Sequence, residues 1–168
     1  MATHYVQDED IINLLGPVDI VATETDSNWM DLSNAHDASF LVYFGVISSS
    51  STTDTGKVYV EASSVSVSGA ETQVPFSYRL SGAAGTNTWG SITAVSADVG
   101  APLALGSDGM CMYIQIDPSV IDALSTTVLK RWVRVALTPE AQYDHTNVCV
   151  LGVTRPRFKG NTMVDISS

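Results

Sequence analysis

The segment KRWVRVALTP, residues 130–139, decides the fold because its side chains alternate between two chemical characters. Successive side chains of a β-strand point to opposite faces of the sheet. One face of this segment begins with Arg131 and is otherwise apolar, with Val133, Val135 and Leu137. The other face carries a tryptophan between two cations, Lys130, Trp132 and Arg134. The pattern therefore predicts a strand with one face in the core and a cationic, aromatic face opposite.

The cationic face of this strand has two interpretations. Tryptophan and arginine are enriched at protein–protein hot spots, so Trp132 between Lys130 and Arg134 fits an interface anchor. Alternatively, the long aliphatic stems of the two cations cover the indole ring. The residues alone leave both interpretations open.

Similar short segments recur along the chain, separated by polar or glycine-rich breaks. The run SFLVYFGVI (39–47) is nearly all apolar, which is typical of a strand in the centre of a sheet. Alternating or apolar runs also occur at KVYVEASSVSVSG (57–69), GMCMYIQI (109–116) and TNVCVLGVT (146–154). About eight such strands and no long helix predict an all-β fold, an antiparallel, jelly-roll-like β-sandwich.

The ends of the chain differ from this central region in their pattern of apolar and polar residues. We predict an extended N-terminal arm (1–17), a β-sandwich domain (18–158) and a polar C-terminal tail (159–168). In the arm, Asp8 is suited to cap a short helix over EDIINLLG (9–16), which Gly16 and Pro17 would end. A helix this short is marginal alone and needs a surface to pack on, either its own domain or a neighbouring subunit.

Charge is distributed unevenly along this acidic chain, whose formal net charge is −10. Residues 1–129 hold two basic residues against 15 acidic ones, whereas residues 130–168 hold six basic residues against three acidic ones. The overall balance disfavours nucleic acid as a partner. The basic end either faces a charged external partner or pairs with the protein's own acids.

No group of residues in the sequence has the spacing of a catalytic or metal-binding site, so we expect no enzyme activity, no cofactor and no metal site. His4, His36 and His145 lack metal-ligand spacing, and no serine lies in a nucleophile-elbow motif. The N-terminus has no basic start or apolar core, and no run of about 18 apolar residues occurs, so we expect neither a secretory signal nor a membrane partner. Cys111 and Cys149 are expected to be buried free thiols, with a disulfide left open.

Four segments follow one another in an order that resembles a known protein family. They are MDLSNAHDASFLVYFGVI (30–47), NTWGSITAVSADVG (87–100), KRWVRVALTP (130–139) and NVCVLGVTRPRF (147–158). The chain in this respect is similar to the small head proteins of tailed bacteriophages that are encoded beside the major capsid protein, and the resemblance covers roughly residues 18–158. It implies a β-sandwich that binds the outer capsid surface as a decoration, or cement, protein.

This resemblance predicts a structural virion protein that bridges major capsid subunits and stabilises the mature head. The expected partners are the major capsid protein and further copies of the chain, as a dimer or trimer. The protein would be made in the host cytoplasm and carried on the outer surface of the virion. The contact residues predicted in the arm and in the basic end are Tyr5, Val6, Ile11, Ile12, Leu14, Leu15, Lys130, Trp132, Arg134, Arg155, Arg157, Phe158 and Lys159.

The alternative prediction is a carbohydrate-binding or adhesive β-sandwich module on a virion surface. It requires Trp29, Trp89 and Trp132 to lie on one exposed face, where their rings would form a platform for stacking sugars.

Overall fold

Two antiparallel sheets pack face to face in the computed structural model of the chain. The structure describes residues 9–21, 23–49, 56–67, 69, 71–82, 86, 88–103, 109–123, 130–139, 143–156 and 166–167. In chain order the elements are β1 (Asp10–Asp19), β2 (Thr25–Asp26), β3 (Trp29–Asp31), β4 (Ala35–Ser49), β5 (Gly56–Ser63), β6 (Thr72–Val74), β7 (Phe76–Leu80), β8 (Thr93–Val95), β9 (Ala101–Leu103), β10 (Met110–Ile116), helix α1 (Pro118–Ala123), β11 (Trp132–Thr138), β12 (Tyr143–Pro156) and β13 (Ile166–Ser167).

Sheet A contains six strands in the order β1-β12-β4-β10-β7-β8. Sheet B follows the order β13-β3-β11-β5-β6, with β2 also pairing with β11 and β9 with β5. The predicted all-β sandwich is confirmed. The described residues contain thirteen strands rather than about eight, because six of them have only two or three residues, too few to show alternation in the sequence.

The core lies between the two sheets and is made by alternate residues of their central strands. From β11 it receives Val133, Val135 and Leu137, each fully buried, and these lie opposite Ala62, Val60 and Val58 of β5. From β4 of sheet A it receives Phe40, Val42 and Phe44, which are also buried. The core face predicted for residues 130–139 is thus confirmed, with side chains of both sheets meeting as expected for a sandwich.

The short helix predicted over residues 9–16 is wrong, because the chain there forms β1, the edge strand of sheet A. Its residues pair antiparallel with β12, where Ile11 lies opposite Val153 and Ile12 opposite Gly152. Pairing along a 14-residue strand satisfies far more backbone groups than one or two isolated helical turns would. Pro17 lies at a register shift in this edge strand, a position where the missing amide proton is tolerated.

The predicted polar tail also contributes to the sandwich. Ile166 and Ser167 form β13, which pairs with Met30 and Trp29 of β3 at the edge of sheet B. The first and last of the described strands, β1 and β13, therefore belong to different sheets.

Candidate interaction surface

Arg134 lies on the outer side of sheet B and is enclosed by acidic side chains of its own chain. Its Nε donates to Glu61 Oε2 at 2.8 Å, and its two terminal nitrogens lie 2.7 Å from Asp26 Oδ2 and 3.2 Å from Glu71 Oε1. Its guanidinium carbon lies 4.5 Å from the centroid of the Trp29 ring. Only 8% of the Arg134 side chain is exposed, so this cation is matched internally.

The interpretation of this face of β11 as an exposed interface anchor does not fit the structure. Trp132 and Arg134 are both buried, and Arg131 lies over the Trp132 ring while pairing with Asp31 at 3.1 Å. Lys130 donates from Nζ to Thr72 Oγ1 and to the Ala62 carbonyl. Of the two interpretations that the sequence left open, coverage within the chain is the one observed, because β5 and β3 bring acids and a second tryptophan onto this side of the sheet.

The other predicted contact residues are scattered. Arg155 pairs with Glu9 at 3.0 Å and with Asp37 at 3.4 Å, across the ends of three neighbouring strands of sheet A. Ile12 and Leu14 are buried in the core, and Leu15 is partly buried against it. Ile11 remains 57% exposed on the outer side of sheet A. The remaining predicted residues lie outside the described part of the chain: Tyr5, Val6, Arg157, Phe158 and Lys159.

Three carboxylates around one guanidinium leave an excess of negative charge in the Arg134 cluster. Burial raises the pKa of Asp26, an effect that Arg134 opposes and that Glu24 and Glu71 reinforce. Burial likewise raises the pKa of Glu61, again opposed by Arg134 and reinforced by the neighbouring carboxylates. The folded protein therefore binds protons at these two groups more readily than the unfolded chain does.

This excess charge predicts that mild acidification stabilises the fold. A pKa that is raised in the folded state favours folding below the unfolded value and loses that contribution as the pH rises through the folded value. We therefore expect the thermal midpoint to rise as the pH falls from neutral towards the ordinary values of about 4.5 for Glu61 and 3.8 for Asp26, and to rise less in Glu61→Gln, which removes one of the two groups. Thermal unfolding at several pH values measures both slopes. Equal slopes for the two proteins would contradict this assignment.

The outer side of sheet A carries a different, largely apolar surface. One cross-strand row places Leu151, Leu41 and Tyr113 side by side on β12, β4 and β10. The next row places Cys149, Tyr43 and Cys111 on the same three strands. We call this surface the apolar face and define it by Leu41, Tyr43, Tyr113, Leu151 and Val153, with Ile11 at the β1 edge. Its members are half-buried or, like Tyr43 at 43%, exposed.

The two cysteines flank Tyr43 from opposite sides. Because neighbouring strands are about 4.8 Å apart, their Cα atoms are separated by roughly 10 Å, beyond the reach of a disulfide. Both thiols are free and half-buried. Burial raises the pKa of the Cys111 thiol, and Cys149 adds to this, which keeps the Cys111 thiol protonated near neutral pH. The register of β10, β4 and β12 thus decides that Cys111 and Cys149 do not form a disulfide. The sequence alone does not contain this register.

A notch lies on the outer side of sheet A, beside the apolar face. It has a volume of about 90 Å³ and is lined by Ser77, Tyr78, Arg79, Ile92, Tyr113 and Gln115. The Arg79 guanidinium carbon lies 5.2 Å from the Trp89 ring centroid and 5.5 Å from that of Tyr113. The two rings meet edge to face, with centroids 6.3 Å apart. Arg79 is therefore held between two aromatic rings next to a small cavity.

The three tryptophans do not share one exposed face, contrary to the prediction for a sugar platform. Trp29 and Trp132 are 3% and 6% exposed and belong to the covered outer layer of sheet B. Trp89 is 42% exposed and bridges Ser81, which follows β7 of sheet A. Trp29 is covered by Arg134, a contact that depends on non-local pairing, and Trp132 by its neighbour Arg131.

Sequence reasoning missed Arg79, Tyr113 and the acids around Arg134. Arg79 occurs in FSYRLSG, where alternation places Arg79 and Tyr78 on opposite faces of the sheet. Nothing nearby in the sequence predicts that Tyr113 is the cross-strand neighbour of Arg79. Glu61 does alternate with Val58, Val60 and Ala62, which is a local signal for the outer face of β5. Its pairing with Arg134 requires knowing that β5 and β11 are neighbours.

Within the described ranges, no group of three or more His, Cys, Asp or Glu side chains is arranged to hold a metal ion. No helix in that part of the chain is both long and apolar enough to cross a membrane. Comparisons with protein-family models, with curated proteins and with solved structures found no match to this chain.

Proposed function

We propose that this chain is a structural protein of a tailed-phage particle, which decorates the outer surface of the mature head and bridges major capsid subunits. The observation that carries the proposal is the apolar face of sheet A, where Leu41, Leu151 and Tyr43 lie together without cover from other described elements. An apolar surface rimmed by polar residues is typical of an interaction site. The order of the four sequence segments supports the same class of protein.

Such a protein acts by binding and needs no chemistry. Contacts that form only with the mature shell stabilise that state by mass action. Repetition over a symmetric lattice adds avidity, so that modest contacts at each site suffice. The proposal includes a dimer or trimer on the capsid, in which every copy would present its apolar face to the capsid in the same way.

The role of the apolar face is tested by placing a charge in its centre. We expect Leu41→Glu to reduce co-sedimentation with expanded empty heads by at least about tenfold, because an unpaired carboxylate would be buried in the contact. Val67→Glu is the matched control, since Val67 is 61% exposed and follows a strand of sheet B. Thermal midpoints of both variants check that folding is preserved.

The outcomes of this experiment separate cleanly. Retention of wild-type binding by Leu41→Glu would contradict the apolar face as the docking surface. Failure of the wild-type protein to bind heads at any concentration tested would contradict the capsid function itself.

The second candidate is carbohydrate binding, which the exposed ring of Trp89 favours. Trp89 contacts Arg79 and Tyr113, which line the notch together with the polar side chains of Ser77 and Gln115. An aromatic ring near hydrogen-bonding groups is a common arrangement for binding small polar ligands. Specific glycan-array signals that disappear in Trp89→Ala would favour this function. A blank array with intact head binding would favour the decoration function.

A further inference from the structure

Arg79 differs from the other arginines in the described part of the chain. Arg131, Arg134 and Arg155 each pair with at least one carboxylate of the same chain. Arg79 makes no such ion pair within the described residues, and its recorded neighbours are the rings of Trp89 and Tyr113. Residues 81–92, which carry Trp89 past it, contain no Asp or Glu. In a chain with a net charge of −10, an arginine without an internal carboxylate is unusual.

The two rings hold the guanidinium in place without neutralising it. A cation over an aromatic face is attracted to the ring quadrupole but keeps its N–H donors at its edge. Tyr113 is positioned by the β10–β7 register, which pairs it directly with Arg79. Trp89 is positioned by a backbone bridge to Ser81 and by the Gly90 amide, which donates to the Leu80 carbonyl. The donors of Arg79 are thus pre-arranged at the edge of the notch.

The notch is large enough for the end of an acidic side chain. Its volume of about 90 Å³ is several times the roughly 10–15 Å³ that one water molecule requires, so a carboxylate and the methylene next to it fit there. Ser77 and Gln115 add a hydroxyl and an amide to its lining, which are suited to the second oxygen of a carboxylate. An arginine fork binds such a planar group through two parallel hydrogen bonds.

We propose that the notch is a carboxylate-recognition site, and that it receives an Asp or Glu side chain of the protein that covers the apolar face. The apolar face begins at Tyr113, which also lines the notch, so one docked surface reaches both. The partner then supplies the counter-charge that Arg79 lacks within the described chain. The capsid as the source of this side chain rests on the proposed function, but the preference for a carboxylate does not.

The carboxylate preference is tested on the whole protein with small probes. N-acetylglutamate N-methylamide, whose only carboxylate is that of the side chain, is titrated while the indole N–H signal of Trp89 is followed by NMR, with the signal assigned from Trp89→Phe. We expect a saturable shift in the millimolar range that is absent with N-acetylglutamine N-methylamide, which has the same shape without the charge. Arg79→Gln should abolish the shift, and Arg79→Lys should weaken it, because lysine keeps the charge but lacks the fork.

Three outcomes of the titration would overturn the site. They are equal shifts with the two probes, an unchanged shift in Arg79→Gln, or no shift with either probe. A fourth comparison excludes a sugar site: glucuronate is expected to resemble N-acetylglutamate N-methylamide, and glucose is expected to have no effect. A shift with glucose as large as with glucuronate would contradict the proposal.

The partner is tested by head binding. We expect Arg79→Gln to lower the affinity for expanded heads about tenfold to hundredfold, as typical for the loss of a charge-assisted contact. Wild-type affinity in Arg79→Gln, together with lost binding in Leu41→Glu, would remove the partner assignment and leave the decoration function intact. If the wild-type protein does not bind heads, the decoration function fails, and the titration alone decides the carboxylate site.

Discussion

Replacing Arg134 with methionine is expected to destabilise the fold by about 3–5 kcal/mol at neutral pH, the cost typical of removing one partner from a buried ion pair. Three carboxylates, Asp26, Glu61 and Glu71, would then face each other on the outer side of sheet B without their cation. The aromatic contact with Trp29 would be lost as well. Urea denaturation monitored by tryptophan fluorescence measures the change in the free energy of unfolding.

A matched control for this variant is Arg131→Met. Arg131 also pairs with an acid and lies over a tryptophan, but 51% of its side chain is exposed. The pair is exposed on the arginine side, and the Asp31 carboxylate also accepts from the Ser33 amide, so this substitution should cost less than Arg134→Met. Comparable losses in the two variants would contradict the assignment of Arg134 as the central counter-charge of the cluster.

The loss in Arg134→Met should also depend on pH. Arg134 lowers the pKa of both Asp26 and Glu61, so its removal raises these two values further in the folded state. Groups with raised pKa values favour folding when protonated. We therefore expect the destabilisation to be largest at neutral pH and above, and to shrink as the solution is acidified. A loss that is independent of pH would indicate a packing defect instead.

Replacing Leu14 with alanine is expected to destabilise the fold by about 2–5 kcal/mol, the range for truncating a buried leucine. Leu14 is 1% exposed. It packs where β12 carries a glycine, since a Cβ on Gly152 would lie 2.7 Å from both Leu14 Cδ1 and Met30 Sδ. Leu14 therefore joins the edge of sheet A to β3 of sheet B. Differential scanning calorimetry measures the shift in thermal midpoint.

The neighbouring substitution Asn13→Ala provides the control, because Asn13 points out from the same strand. Its effect should remain within about 0.5 kcal/mol. If the segment were an arm that left the domain, both variants would be nearly neutral.

The position of Leu14 also bears on truncation experiments: removing residues 1–16 deletes most of β1, whereas removing residues 1–8 deletes Tyr5 and Val6 and leaves the strand intact.

The assignment of β1 shows where sequence patterns become ambiguous. Its apolar residues, at positions 11, 12, 14 and 15, fit one side of a helix, and positions 12 and 14 alone fit one side of a strand. The strand forms because β12 offers a long partner, 128 to 144 residues further along the chain. Local propensity was outweighed by tertiary pairing, as is common for short segments.

The candidate site was less predictable than the fold. Arg79, Trp89 and Tyr113 are separated in sequence and meet only because β10 pairs with β7 and the chain bridges back at Trp89. Cations that appear as one basic region in the sequence are divided among separate acidic partners in the structure. Side-chain partners on a sheet depend on strand order and register, which alternation within one strand does not reveal.

The sequence by itself determined the class of the fold and the core side of its central strands, because alternation is a local property that records which side of a strand excludes water. The core positions of KRWVRVALTP follow from it directly. Only the tertiary structure decided whether the opposite side of β11 is exposed or covered. There, Arg134 and Trp132 are covered by residues from β2, β3 and β5. The physical reason is that burial of a charge depends on counter-charges brought together by non-local pairing, so the open surface of this protein lies on the other sheet.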